Sequence, residues 1–386
     1  MYYNCSVSDI EKLHLLNRQM NLEPAEDLLS SPIRDPRIDT VRISRALLPD
    51  GSSIRLLKTL LSSYCDNRCA YCPFQRGRDF RRAKFTPDKF ASLFAALYRA
   101  GIVEGIFLSS GIYQAAVHAQ DQLLDTAEIL RRDYHFPGDR HLKILPGAER
   151  EQVYRAMCVA DRLSVNLEAP TRRTLQVLAP QKRFQRELIA PLRWMEEIRS
   201  QRPPHHAWQG CWPSSTTQFV VGPAGESDLE LLSTTQFLEQ EAGLSRTYFS
   251  RFTPVQDTPL EEQPPTPPTR EHRLYQASFL LRDYGFDLEE LPFVGKGNLP
   301  QDQDPKTVWA KTHLKHHPVE VNTAHPSRLL RVPGLGPVSV EKILNARRQK
   351  KLTSLSQLKA LGIQSSRCGD YITLDGKRPL RQPRLF

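Results

Sequence analysis

A regular alternation of strand-like and helix-like segments between residues 54 and 252 constrains this chain more than any other feature. Apolar runs at 54–61, 105–109, 142–145, 162–167, 217–221 and 247–252 read as strands. Helical patterns lie between them, over 119–133, 149–158, 171–178 and 184–200 and onward from Glu226. Another opens at Thr86-Pro87-Asp88, with a cap and a first-turn proline, and stops at Gly101. Six strands separated by helices predict an α/β fold with a parallel sheet, open or curled into a partial barrel.

Outside this rhythm the chain divides further. Residues 1–50 hold a short helix at 9–20 and then a poorly patterned stretch, an N-terminal extension to a core at 51–260. Prolines crowd the next boundary at Pro254, Pro259, Pro264, Pro265, Pro267 and Pro268, which stiffens it. Residues 261–324 read as a wrapping segment and connector, with a helix at 270–284 and an extended run at 295–324. A last module occupies 325–386.

Charge follows the same division. Residues 325–386 carry 13 Lys/Arg and 3 Asp/Glu, which is the whole net charge of +10, leaving 40 of each sign in residues 1–324. Charge segregated in this way suggests a module that faces a polyanion. The N-terminus, Tyr2-Tyr3-Asn4 and then charged residues, does not read as a signal peptide. The longest apolar runs fall well short of the ~20 residues a membrane span takes. The expectation is a cytoplasmic protein without a membrane partner.

Three of the seven cysteines, Cys65, Cys69 and Cys72, fall within eight residues, in the loop after the first strand. Cys5, Cys158, Cys211 and Cys368 are scattered singly, which is not a disulfide framework. Three thiolates without a nearby fourth Cys or His do not complete a tetrahedral zinc site. They do suit a [4Fe–4S] cube with one iron left open.

The spacing Cys65-x3-Cys69-x2-Cys72, with aromatic Tyr71 before the last cysteine, resembles the signature of the radical S-adenosylmethionine (SAM) superfamily. The resemblance implies a partial (β/α)6 TIM-like barrel. It also implies a [4Fe–4S] cluster whose open iron chelates SAM, and an external one-electron reductant. Reductive cleavage would then give a 5′-deoxyadenosyl radical that takes a hydrogen atom from substrate. The family's Gly-Gly-Glu segment is matched by Ser109-Ser110-Gly111, which lacks the glutamate. Along 164–168, alternation puts Ser164, Asn166 and Glu168 on one face, and the resemblance makes Asn166 and Glu168 cofactor contacts. Gly222 and Gly225 match the family's glycine turn near the adenine, and Glu226 and Asp228 read as caps of the helix that follows. Lys143, Lys182 and Arg183 are candidates for the barrel interior. His205, His206 and the tract at 315–317 read as surface residues.

The stretch Arg331-Val332-Pro333-Gly334-Leu335-Gly336-Pro337 lies between two helical patterns, the second carrying Val340, Ile343 and Leu344. It resembles a helix-hairpin-helix, in which amides at the second helix's N-terminus meet a phosphate oxygen. Residues 355–363 look like a degenerate second hairpin. Gly334, Leu335, Gly336, Lys342, Arg347, Arg348, Lys350 and Lys351 are the expected contacts to duplex DNA, largely independent of sequence. Residues 50–363 as a whole resemble the radical SAM proteins assigned to DNA modification or repair. The implied function is a DNA-acting radical SAM enzyme. A tRNA-modifying enzyme and a non-catalytic iron–sulfur DNA-binding protein are the alternatives.

Overall fold

The computed structural model describes residues 7–18, 20, 35–38, 41–47 and 51–379. The chain forms two compact units, Met1–Glu226 with Thr234–Pro267 and Ser227–Ser233 with Pro268–Phe386.

In the first unit α1 (Val7–Arg18) precedes a seven-stranded sheet. Its strands are β1 (Ile43–Leu47), β2 (Ser53–Leu60), β3 (Gly105–Ser109), β4 (Asp139–Lys143), β5 (Arg162–Ser164), β6 (Ser214–Val221) and β7 (Leu244–Arg251), paired in chain order. Strands β2 to β7 are parallel, and the sheet curls into a partial TIM-like barrel. The helices between them are α2 (Pro87–Arg99), α3 (Ala116–Arg132), α4 (Arg150–Val159), α5 (Arg172–Leu178) and α6 (Ala190–Gln201), with α7 (Asp228–Ala242) after β6. Strand β3 is buried at every position, as a parallel strand covered on both faces must be. Helix α2 supplies Phe90 and Phe94, and Phe94 meets Phe136 edge-to-face at 5.0 Å between ring centres.

The first unit departs locally from the sequence pattern at three places. Strand β1 runs antiparallel to β2, with Ile43 opposite Leu57, in the stretch that reads as unpatterned. Its Ser, Arg and Ala residues give little hydrophobic signal, and pairing supplies what propensity does not. The strand pattern at 162–167 is regular only as far as Ser164; the chain meets β6 again at an isolated bridge, Glu168 beside Phe219, with Glu168 at φ +66°. The helix pattern at 184–200 opens with a π-helical turn, Phe184–Ile189, before α6. Pro191 sits in the first turn of α6, where it has no N–H to offer a regular helix.

The second unit contains α8 (Pro268–Tyr284), α9 (Pro305–His313), α10 (Pro326–Leu330), α11 (Pro337–Gln349), α12 (Leu355–Ala360) and α13 (Ser365–Cys368). Two short parallel strands, β8 (Val319–Glu320) and β9 (Ile372–Thr373), pair with each other. The extended connector expected at 295–324 is therefore corrected. Asp304 accepts a hydrogen bond from the Thr307 amide at 2.9 Å and starts α9, whose Trp309 and Ala310 are buried. Between α10 and α11 the chain turns at Gly334, φ +82°. The part of the basic tail beyond residue 379 lies outside the described residues. Among the described residues no helix is long and apolar enough to cross a membrane.

Lys306 is buried under this turn, donating to the Leu335 carbonyl at 2.5 Å and lying 4.4 Å from the Tyr284 ring centre. Burial pushes its amine down to about 7. Between that pH and the ordinary lysine range the unfolded chain binds a proton that the folded chain does not, so stability rises with pH across the window. The expected slope is on the order of 1 kcal/mol per pH unit from this group. Denaturant midpoints at pH 7, 8 and 9 should show the rise in the wild type and a flatter profile in Lys306→Met.

Candidate active site

Strands β2 to β7 point their C-terminal ends at one cavity of about 1070 Å³ of atom-free space, its mouth included, at the upper end of the range for ligand sites. Cys65, Cys69 and Cys72 all line it, with Tyr71, Ser109, Ser110 and Gly111. Asn166, Glu168, Lys143 and Lys182 line it as well. The cysteine loop has no regular secondary structure, so its shape comes from docking. Leu61 N–H donates to the Ser109 carbonyl, Gly111 N–H to Ser62 and Asp66 N–H to Ile112, at 2.6–2.8 Å. These bonds lay the loop along the segment after β3. At Gly111 a Cβ would sit 2.1 Å from the Tyr64 carbonyl oxygen and 3.1 Å from the Cys65 Cβ, so only glycine allows this approach.

A second fastening closes the loop on itself. The Arg82 guanidinium donates to the carbonyls of Ser63 and Phe74 at 2.7 and 3.0 Å, and to those of Gln75 and Arg78 at 2.8 and 3.3 Å. It thereby ties the residue before the cysteines to those after them. Gln75 and Arg78 donate to the carbonyls of Asp257 and Gln256, linking the loop to the segment after β7.

The far wall is polar and partnered. Glu168 and Lys182 form a buried ion pair at 3.0 Å. Burial works against the Lys182 ammonium, but the adjoining Glu168 carboxylate and Cys69 hold it above its ordinary range. Burial, and then the Glu168 carboxylate, push the Tyr71 hydroxyl well up. Asn166 donates to Gln218 Oε1 at 2.9 Å, and Gln181 Nε2 donates to Cys69 Sγ at 3.2 Å. Burial raises the Cys69 and Cys72 thiols.

Gln218, Asn67, Phe74, Arg251 and Phe252 also line the cavity and were not singled out from sequence. The alternation in β6 that carries Gln218 and Val220 to one face was the available signal for the first. Gly222 and Gly225 are not among the lining residues. Gly222 lies at φ +116° against Thr266, where a Cβ would meet Oγ1 at 2.0 Å. The Glu226 carboxylate accepts from the Gly222 amide. Asp228, read as a helix cap, instead pairs with Arg270 at 2.7 Å and accepts from Leu299 N–H, since a fully buried carboxylate needs a cation. Arg183, His205, His206 and residues 315–317 are exposed.

In the second unit Leu335 is buried, so it serves the core. Arg347 donates to the carbonyls of Val321 and Ala324, Lys342 to that of Leu361, and Lys351 pairs with Asp375. Arg347 is half-buried and holds its own unit together, while Arg348 and Lys350 are exposed cations.

The radical SAM superfamily profile matches residues 59–238, the stretch that contains all three cavity cysteines and strands β3 to β6. This stretch, a little under half of the chain, is similar to the radical SAM superfamily. The cofactors this similarity implies are a [4Fe–4S] cluster and SAM. No curated protein shows significant similarity to the chain. Among solved structures it is similar to the FeFe-hydrogenase maturase HydG from Carboxydothermus hydrogenoformans (13% identity, TM-score 0.44, 58% of this chain and 51% of that one). It is similar also to methylornithine synthase PylB (13%, 0.47, 58% and 61%). A third is the radical SAM methyltransferase TsrM from Kitasatospora setae with cobalamin and a [4Fe–4S] cluster bound (15%, 0.39, 53% and 38%). The chain spans about half the length of the HydG structures.

The donor set in this stretch fits the implied cofactors. Three soft sulfur donors open on one cavity, the ligand type iron–sulfur clusters take. Cys65, Cys69 and Cys72 would hold the cluster, and the adjoining polar wall would receive SAM.

Two substitutions test this construction. Gly111→Ala should displace the cysteine loop, and the reconstituted protein should lose most of its iron by chemical assay. Lys182→Met leaves Glu168 buried without its cation and should cost about 3–5 kcal/mol of unfolding free energy. Lys182→Met with Glu168→Gln should recover much of that loss, measured as a double-mutant cycle in urea.

Proposed function

We propose that this protein is a radical SAM enzyme that modifies or repairs DNA. The observation that carries the reading is the separation of charge from chemistry. The three clustered cysteines lie in the stretch that matches the radical SAM profile, while the net +10 lies in residues 325–386, around a glycine turn between two helices. We read α10, the turn at 333–336 and α11 as a helix-hairpin-helix, with α12 and α13 as its degenerate second copy. Its work would be sequence-independent contact to phosphates. Gly334 and Gly336 shape the turn, the amides of the first turn of α11 face a phosphate oxygen, and Arg348, Lys350 and Lys342 add attraction. The hydrogen bonds of Arg347 assign it to holding the module together.

In the barrel, Cys65, Cys69 and Cys72 would anchor the cluster, which when bound supplies the electron that cleaves the SAM sulfonium. Ser109, Ser110, Asn166 and Gln218 offer hydrogen-bonding groups to the polar ends of SAM, and Lys143 a cation for its carboxylate. The Glu168–Lys182 pair, with Tyr71 beside it, fixes the wall against which these groups are set. A base or sugar inside a duplex stack would have to leave it to reach this cavity. An external one-electron donor is required, and we place the enzyme in the cytoplasm.

Anaerobically reconstituted, dithionite-reduced protein should release 5′-deoxyadenosine from SAM, and duplex DNA should raise the yield. Cys69→Ala should abolish release. A protein with a full iron complement that releases none would overturn the catalytic reading. Preference for tRNA over duplex DNA in a low-salt binding assay would move the substrate to RNA.

A further inference from the structure

The first 324 residues are formally neutral as a whole, yet their charge is far from evenly spread. Residues 65–85, the cysteine loop and its return, carry six Lys/Arg against two Asp/Glu. Residues 172–186, from the start of α5 into the π-helical turn, carry five Lys/Arg and no acid. The rest of residues 1–324 therefore holds 29 Lys/Arg against 38 Asp/Glu. The two basic segments touch at the cavity, where Ala70 N–H donates to the Leu178 carbonyl at 2.7 Å and Gln181 donates to Cys69 Sγ.

Some of these cations are used internally: Arg82 closes the cysteine loop, Arg78 reaches Gln256 and Lys182 neutralises Glu168. Arg68, Arg76, Arg81 and Lys84 on the first segment, and Arg183 and Arg186 on the second, are exposed, and none forms an ion pair among the described residues. Six exposed cations crowded on two short segments repel one another, and apart from Lys84, 5.5 Å from the Tyr113 ring centre, their charges have no partner among the described residues. One SAM carboxylate could occupy one or two of them at most. Five of the six are arginines, whose planar fork matches phosphate oxygens in pairs. Exposed Tyr64, directly before Cys65, adds an aromatic face of the kind on which an unstacked base rests.

We propose that these two segments form a collar that binds a phosphodiester backbone at the mouth of the radical SAM cavity, so that the catalytic unit grips nucleic acid itself. The inference rests on the reading of this protein as a nucleic-acid enzyme, and it names the surface that presents the substrate to the cavity. The collar's contacts go to the backbone, so they bring a strand to the cavity without selecting its sequence.

The test uses the full chain and a fluorescein-labelled 30-base-pair duplex, with anisotropy titrations from 50 to 200 mM salt. Each phosphate contact contributes roughly 0.9 to the slope of log affinity against log salt. Arg68→Gln, Arg76→Gln, Arg81→Gln and Lys84→Gln combined should lower that slope by about 2 or more. The same four positions all as lysine should bind with the wild-type slope, because the contacts follow charge; this variant also controls for folding. Arg348→Gln with Lys350→Gln should lower the slope separately, with the collar's share intact. A quadruple-Gln variant that keeps its iron and binds with the wild-type slope would overturn the collar and leave the C-terminal module standing. A wild type that binds neither duplex DNA nor tRNA would overturn the nucleic-acid reading itself. Polyglutamate of equal charge displacing the duplex as well as unlabelled duplex does would overturn the assignment to phosphodiesters.

Discussion

The active site depends on how a loop without secondary structure is fastened to the edge of a sheet. Three sulfurs can hold a cluster only if their backbone is fixed, and the cysteine loop has no helix or strand of its own to fix it. The structure supplies that rigidity from two sides. Hydrogen bonds to the segment after β3, with no side chain at Gly111, press the loop's start against the barrel. The Arg82 guanidinium, shared among four carbonyls, draws the loop's two ends together. Both devices act on backbone atoms, so they position whatever side chains the loop carries.

The cavity's other wall handles the cost of burying polar groups beside the cysteines. A carboxylate inside a parallel barrel is expensive unless it is paired. Glu168 meets that requirement with Lys182, and does so from a left-handed backbone position uncommon for a residue with a side chain. On the same wall Asn166 donates a hydrogen bond to Gln218 Oε1. The wall is thus polar but already partnered, and it offers a ligand a set of fixed dipoles with little left to reorganise.

Charge is arranged on a larger scale than any single contact. The neutral total of the first 324 residues hides a basic surface at the cysteine loop and α5, offset by acidic residues elsewhere. The C-terminal residues add a second basic region. Within that region the structure sorts cations by role: Arg347 holds backbone carbonyls, Lys351 pairs with Asp375, and Arg348 and Lys350 stay in solvent. A count of basic residues locates such a field, and only coordinates tell which members are free to act.

The sequence by itself determined that strands alternate with helices in a parallel sheet and that three cysteines share the loop after the first of those strands, while Ser109 and Asn166 were legible through the family resemblance. Period-2 and period-3.6 patterns and fixed spacings are local properties, which a linear pattern records. The tertiary structure alone decided the rest. Strand β1 exists because β2 offers an edge, α9 because Trp309 has a core to enter, and Glu168 faces Lys182 because a loop 14 residues on folds back. Arg82 looks like any other basic residue until four carbonyls converge on it, and Gln218 like any strand residue until Asn166 stands opposite. These are contacts between distant segments, whose energies depend on burial and partner geometry that no linear pattern records.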